Sequence, residues 1–245
     1  MNFYRAIPVT DLSNLKLFAT HPHPCSYLED QESTTIFLDP AITIDATLYS
    51  QLSELGFRRS GHHIYRPRCH GCQACIPIRI PVKYFKPSRN QMRCAKRNGD
   101  LSMDVVSSID TDEHYDLYKR YINLRHSDGD MYPPSRSQYT DFLSAEWGVT
   151  HYIEFRCESS QLVAVAVTDK LDNGLSAIYT FFDPAQSKRS LGVFSVLFQI
   201  SWARKMKLPY VYLGYWIKNC KKMTYKIDYQ PCQLLINGGW VSIPT

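Results

Sequence analysis

The sequence predicts an α+β protein in two parts, and three observations predict it. Pro, Gly and Cys punctuate residues 1–99, whereas longer periodic segments fill residues 100–245, so a boundary is placed near Gly99. From Leu55 to Gly99 there are eleven Lys or Arg and no Asp or Glu. Without that block the chain's 28 basic and 23 acidic residues become 17 against 23, so basicity is concentrated in the first part. In the second part, three strand-like runs precede a long apolar helix and a further strand, the order of a mixed α/β sheet unit. A chain of 245 residues can bury one large or two medium cores.

Taken in order, Ile44, Leu48, Leu52 and Leu55 recur at helical spacing and Gly56 follows as a stop signal, predicting a helix over Ile44–Leu55. Residues 57–67 read as a hairpin leading into the triple Cys69-His70-Gly71-Cys72-Gln73-Ala74-Cys75. Ile76 to Val82 alternates like a strand, and its prolines predict an edge position, where a missing N–H does least harm. Helices are expected over Asp112–His126 and Ser137–Trp147, and strands over His151–Phe155, Leu162–Thr168 and Leu175–Phe182. Asn173-Gly174 is the strongest hairpin signal in the chain. Ser190–Met206 reads as a buried helix, and Tyr210–Leu213 as a strand entering Gly214-Tyr215-Trp216. This strand, helix, strand order is what an acyltransferase-like sheet shows.

Composition narrows the classes. Met1 to Ala6 lack a basic start followed by an apolar run, and no stretch reaches about 18 uninterrupted apolar residues, so a cytoplasmic protein with no membrane partner is expected. Its eight Cys are then thiols or metal ligands rather than disulfides. Concentrated positive charge points to an anionic partner, most often nucleic acid. The 17 Tyr supply ring faces and hydroxyls suited to a polar ligand.

The candidate site residues follow from type and spacing. Cys69, Cys72 and Cys75 sit at two-residue intervals and need a fourth donor to close a tetrahedral site, for which Cys25 is the nearest cysteine. A structural zinc or an iron–sulfur cluster is the metal such a set would hold, with reduced cysteines in a compact loop as the alternative. Arg58 and Arg59 offer guanidinium forks suited to carboxylate or phosphate. Lys218, Lys221, Lys222 and Lys226 with Tyr225 make a second basic patch, able to hold phosphates or a ribose, or else an exposed helix face. Asp183, closing Tyr179-Thr180-Phe181-Phe182-Asp183-Pro184, is either a turn-maker or a carboxylate that orients or deprotonates an amine.

Several motifs together carry a resemblance to a known family. They are Cys25-Ser26-Tyr27-Leu28, Gly56-Phe57-Arg58-Arg59-Ser60-Gly61, Tyr65-Arg66-Pro67 with the Cys triple, Arg79-Ile80-Pro81-Val82, Pro87-Ser88-Arg89, and Tyr212-Leu213-Gly214-Tyr215-Trp216-Ile217 with Lys222-Met223 and Tyr225-Lys226. From about residue 3 to 240 the chain resembles the bacterial aspartate/glutamate leucyltransferases, the bacterial branch of the arginyl-tRNA-protein transferases. The resemblance implies a cysteine-bearing N-terminal domain followed by an acetyltransferase-like (GNAT-type) domain. It implies transfer of leucine from leucyl-tRNA to proteins with N-terminal Asp or Glu, marking them for the N-degron pathway. Arg58 and Arg59, with Arg79 and Arg89 as alternatives, are then expected to bind the acceptor's acidic side chain. Asp183 would take or orient the attacking ammonium, and Tyr212, Tyr215 and Trp216 would wall the leucyl pocket. Lys218, Lys222, Tyr225 and Lys226 would meet aminoacyl-tRNA. The arginyl branch has a second cysteine at the position Leu28 fills here, so its metal site does not carry over automatically.

The ester of an aminoacyl-tRNA is already activated, so no cofactor is required for transfer. Donor choice between leucyl- and arginyl-tRNA is not set by spacing, though Cys-Ser-Tyr-Leu and the chain's brevity favour leucyl. Two other classes compete. A coenzyme-A-dependent N-acetyltransferase would cradle pyrophosphate on Arg189-Ser190-Leu191-Gly192-Val193-Phe194, but Phe194 stands where a small residue is needed, so coenzyme A is not expected. A non-catalytic metal-ribbon RNA-binding protein would use the Cys triple and leave the second part without a purpose.

Overall fold

The computed structural model describes residues 12–145 and 147–243. The reading of Met1–Ala6 therefore lies outside the described residues. In chain order the elements are β1 (Leu17–Ala19), β2 (His23–Pro24), β3 (Glu32–Ser33), β4 (Thr35–Leu38), α1 (Ala46–Glu54), β5 (Arg58–Ser60), β6 (His63–Pro67), β7 (Ile76–Pro81), α2 (Arg89–Arg97), β8 (Ser102–Val106), α3 (Asp112–Arg125) and α4 (Arg136–Leu143). Then come β9 (Thr150–Arg156), β10 (Leu162–Leu171), β11 (Gly174–Phe182), α5 (Leu191–Lys205), β12 (Tyr210–Trp216), α6 (Lys221–Thr224), β13 (Cys232–Ile236) and β14 (Gly239–Ile243).

An eight-stranded mixed sheet in the order β14-β13-β7-β12-β11-β10-β9-β8 forms the centre, and a small antiparallel sheet β1-β4-β6-β5 lies beside it. Local chemistry explains the helices that frame it. Asp45 accepts the Leu48 N–H at 2.7 Å to start α1, and Thr111 caps α3. Ser88 and Gln91 form a reciprocal capping box on α2, a helix not foreseen in the sequence reading. Helix α5 packs Val196, Ile200 and Ala203 onto Val211 and Leu213 of β12 and Ile78 and Ile80 of β7. Its buried Phe194 meets Phe155 of β9 with ring centroids 5.6 Å apart.

Three expectations are corrected. Ile76–Pro81 is an interior strand, not an edge, because β13 pairs with it only at Ile78 and Arg79, between the two prolines. The sheet consequently runs across the expected boundary near residue 99. Helix α4 ends at Leu143 rather than Trp147: Ser144 is extended, and the carbonyls of Leu143 and Ser144 turn to accept the Arg59 guanidinium at 3.4 Å each. The β10–β11 hairpin turns on Asp172-Asn173, with Gly174 already paired to Leu171. A Cβ on Gly174 would stand 2.6 Å from the Tyr210 carbonyl, so glycine is needed there for strand approach.

Candidate functional site

β11 and β12 are neighbouring parallel strands that pair only at their starts, Gly174–Ser176 against Tyr210–Tyr212. Beyond that point β12 carries an irregularity between Tyr212 and Gly214, where Gly214 adopts φ +79°, and the two strands part. The parted stretches leave backbone acceptors without a strand partner. Two cations take them up. Arg58, from β5, donates to Ser176 Oγ and to the Ala177 carbonyl, and its guanidinium packs on Gly214. A Cβ on Gly214 would lie 3.2 Å from Arg58 Nε. Lys226 Nζ, from the segment after α6, donates to the Tyr215 carbonyl at 2.7 Å and sits 3.1 Å from Met223 Sδ. Neither cation has a carboxylate partner among the described residues.

Electrostatics tie the two together. Burial, and after it the charge of Arg58, pushes the Lys226 ammonium down to about 7. Burial raises the phenols of Tyr65 and Tyr215, and Arg58 opposes the rise in each. Tyr65 and Tyr215 also line a groove of about 1020 Å³ that runs between the Cys loop and β13, along Cys25, Tyr27, Cys69, Cys72 and Cys75. Two buried donors on the parted stretches, Tyr179 Oη and Trp216 Nε1, have no hydrogen-bond partner among the described residues.

The expected acidic-side-chain binders are not brought together. Arg59 faces away from the cleft and is 3% exposed; its Nε and Nη2 grip Asp169 at 2.5 and 2.8 Å, and Tyr49 and Thr150 complete the carboxylate's shell. It is corrected from a ligand-binding to a structural arginine, since its charge is already neutralised. Arg79 is corrected likewise: it pairs with Glu54 at 2.6 Å, binds Gln233 at 2.7 Å and stacks on Tyr210 and Trp240. Hydrogen bonds from Tyr212 and Asn173 and the Arg79 charge outweigh burial and hold the Glu54 carboxyl below its usual range. Arg89 opens α2 on the surface. Of the four, Arg58 alone stands at the parted strands.

The other expected residues also separate. Tyr212 is buried in the Glu54–Arg79 cluster, and Tyr215 Oη is anchored on the Gly56 carbonyl at 2.9 Å, so neither hydroxyl is free to contact a ligand. Trp216 lies on the parted stretch of β12. Lys218 and Tyr225 are exposed, Lys222 pairs with Asp128 at 3.0 Å, and Lys226 is the buried member. Asp183 accepts from the Ala185 N–H at 3.0 Å, the work of a turn-maker, at the far end of β11 from Arg58. Tyr179 was not singled out in the sequence; its buried hydroxyl, two residues beyond Ala177, stands out only once the strands are seen to part.

Cys25, Cys69, Cys72 and Cys75 do line one groove, but among the described residues no three His, Cys, Asp or Glu side chains converge to hold a metal ion. As placed, Cys25, Cys69, Cys72 and Cys75 share the groove without closing a ligand set.

A parted parallel strand pair with cations at its mouth, beside an acid-free basic segment, is the arrangement of a group-transfer enzyme that takes anionic partners. Family models described as arginine-tRNA-protein transferase, N terminus, and arginine-tRNA-protein transferase, C terminus, match residues 23–93 and 113–236. The chain is 62% identical over 234 residues to an aspartate/glutamate leucyltransferase from Saccharophagus degradans, covering 96% of this chain and 99% of that one. It is 60% identical to another from Teredinibacter turnerae, covering 96% and 97%. The chain belongs to the arginine-tRNA-protein transferase family. A solved structure of L-PGS from Bacillus licheniformis is similar at a TM-score of 0.48 with 10% identity, over 70% of this chain and 59% of that chain.

Proposed function

We propose that this protein transfers leucine from leucyl-tRNA to the α-amine of acceptors that begin with Asp or Glu. The relatives at 62% and 60% identity that bear that name support the donor and acceptor, and Arg58 is the observation that carries the reading onto this site. An arginine half-sunk at the mouth of a cleft, bonded only to neutral oxygens, retains a charge that an acidic side chain can neutralise. The groove along the Cys loop leads an extended peptide end toward Tyr65 and Tyr215, behind which Arg58 lies. The parted β11 and β12, acetyltransferase-like in their opening, receive the leucyl ester from the other side.

Transfer then needs positioning more than activation. The neutral amine attacks the ester carbon, the C–N bond forms, and the bond to the ribose oxygen breaks as that oxygen takes up a proton. Products are the leucyl-extended protein and uncharged tRNA. The exposed cations Lys83, Lys86, Arg89, Arg93 and Lys96 around α2, with Lys218 and Lys221, offer phosphate contacts. Among the described residues no helix is long and apolar enough to cross a membrane, and all eight cysteines are free, which agrees with work in the cytoplasm on degradation signals. For the coenzyme-A alternative, Arg189 is committed to Asp100 at 2.8 Å and Phe194 fills the core.

The test offers radiolabelled leucyl- and arginyl-tRNA with peptides beginning Asp, Glu, Lys and Ala. Leucine on the Asp and Glu peptides alone is the expected result. Arg58→Ala should then lower kcat/KM for the acidic peptides by roughly 10- to 100-fold, the worth of a charge-assisted hydrogen bond. Arginine transfer, or no transfer to any peptide, overturns the reading.

A further inference from the structure

The cleft holds a second cation, Lys226, expected from the sequence to meet aminoacyl-tRNA but buried away from the surface cations offered to it. Lys226 is 8% exposed, yet its ammonium meets only a carbonyl and a thioether and leaves a donor spare. Arg58 rests on Gly214 while Lys226 binds the carbonyl of the next residue, Tyr215, so the two meet adjacent residues of β12 and Arg58 acts on the Lys226 charge. Arg58 likewise has N–H groups beyond those given to Ser176 and Ala177. A half-buried Arg58 and a buried Lys226 placed close together without an anion repel each other, and Lys226 has lost its hydration. A site built this way is incomplete until a negative group enters.

We infer that Lys226 and Arg58 form one carboxylate-binding site, and that the acidic side chain of the acceptor's first residue lies between them. This rests on the proposed transfer to Asp and Glu and names the second residue that selects them. The groups acting on Lys226 are Arg58 of β5, Cys220 ahead of α6 and Cys75 of the Cys loop. Among the described residues no carboxylate pairs with either cation. Near neutral pH the empty site therefore keeps much of Lys226 uncharged, and an arriving carboxylate favours the ammonium again. Binding of an acidic N-terminus takes up a proton from solvent, and a neutral N-terminus gives no such gain.

The experiment is calorimetry of a short Asp-initiated peptide binding to the full protein at pH 8, in two buffers of different ionisation enthalpy, with an Ala-initiated peptide as control. Wild type should take up close to one proton on the Asp peptide and essentially none on the Ala peptide. Lys226→Met should abolish the uptake and raise KM for Asp and Glu peptides roughly tenfold or more, leaving kcat within a few-fold. Lys226→Gln serves if the Met variant fails to fold. Equal proton uptake in wild type and variant, or a loss confined to kcat with KM unchanged, overturns the inference while leaving leucine transfer intact. Because the calorimetry reads binding alone, absence of leucine transfer by the wild type would strike the proposed function separately.

Discussion

Arg59 Nε lies 2.5 Å from Asp169 Oδ2, and both side chains are fully removed from solvent. The pair joins β5 of the small sheet to β10 of the large one, and its outer donors hold the end of α4 through the carbonyls of Leu143 and Ser144. Breaking a buried pair leaves an uncompensated charge, at about 3–5 kcal/mol. Arg59→Ala should lose about that much unfolding free energy in denaturant titration. Arg59→Lys should not recover it, because a single ammonium cannot reproduce the two-point grip. A lysine variant as stable as wild type would show that charge alone, without the fork, carries the junction.

The neighbouring arginines show where sequence reading succeeds and where it stops. Arg58 and Arg59 stand side by side in the sequence, but consecutive residues of a strand point to opposite faces, so one partner cannot receive both. That alternation was available from the sequence. Which arginine faces the cleft was not, because it depends on β5 docking near β11, and the Arg58–Ser176 bond spans 118 residues. Helix α3 with its Thr111 cap and helix α5 with its long apolar run were legible because both signals are local. Helix α2 was overlooked although Ser88 and Gln91 spell a capping box. The interior place of β7 was hidden because its prolines argue locally for an edge, and only the distant β13, pairing between them, resolves the conflict.

Asp183 is expected to act on stability rather than on turnover. Its carboxylate accepts the Ala185 N–H at the turn after β11, and at ~3.3 Å per residue it lies some 20 Å along the strand from the Arg58 contacts. Asp183→Ala should cost about 1 kcal/mol, the usual worth of such a cap, and Asp183→Asn should retain most of it. Single-turnover transfer by Asp183→Asn should stay within a few-fold of wild type. A large drop in rate with an unchanged melting temperature would return Asp183 to the chemistry.

Two cysteines should differ sharply toward alkylating agents. Burial and the nearby Cys25, Cys69, Cys72 and Cys220 push the Cys75 thiol up to about 12. A hydrogen bond with Ser159 at 3.0 Å, helped by backbone donors, holds Cys157 below the ordinary range. Reaction follows the thiolate. Iodoacetamide at pH 8, read by peptide mapping, should label Cys157 well before Cys75 in the native protein and both alike in denaturant. Equal native rates would mean that the Cys loop opens faster than it is labelled.

Lys226 also makes stability depend on pH in a way that isolates it from every other group. In the folded protein its ammonium loses a proton near 7, against an ordinary value of 10.5. Between those limits the unfolded chain binds a proton that the folded chain does not, so unfolding free energy rises with pH across the window. Below about pH 7 both states hold the proton and the full penalty of the buried charge remains. Lys226→Met removes the titration and leaves other groups nearly as they were. Subtracting the variant's unfolding free energy from that of wild type should thus give a flat line below pH 7 and a climb above it, at up to about 1.4 kcal/mol per pH unit. The same subtraction at acid pH should favour the variant, since methionine carries no buried charge there. Parallel curves from pH 6 to 10 would mean that Lys226 stays hydrated and protonated in the folded protein, and the cation pair at the parted strands would lose its physical basis.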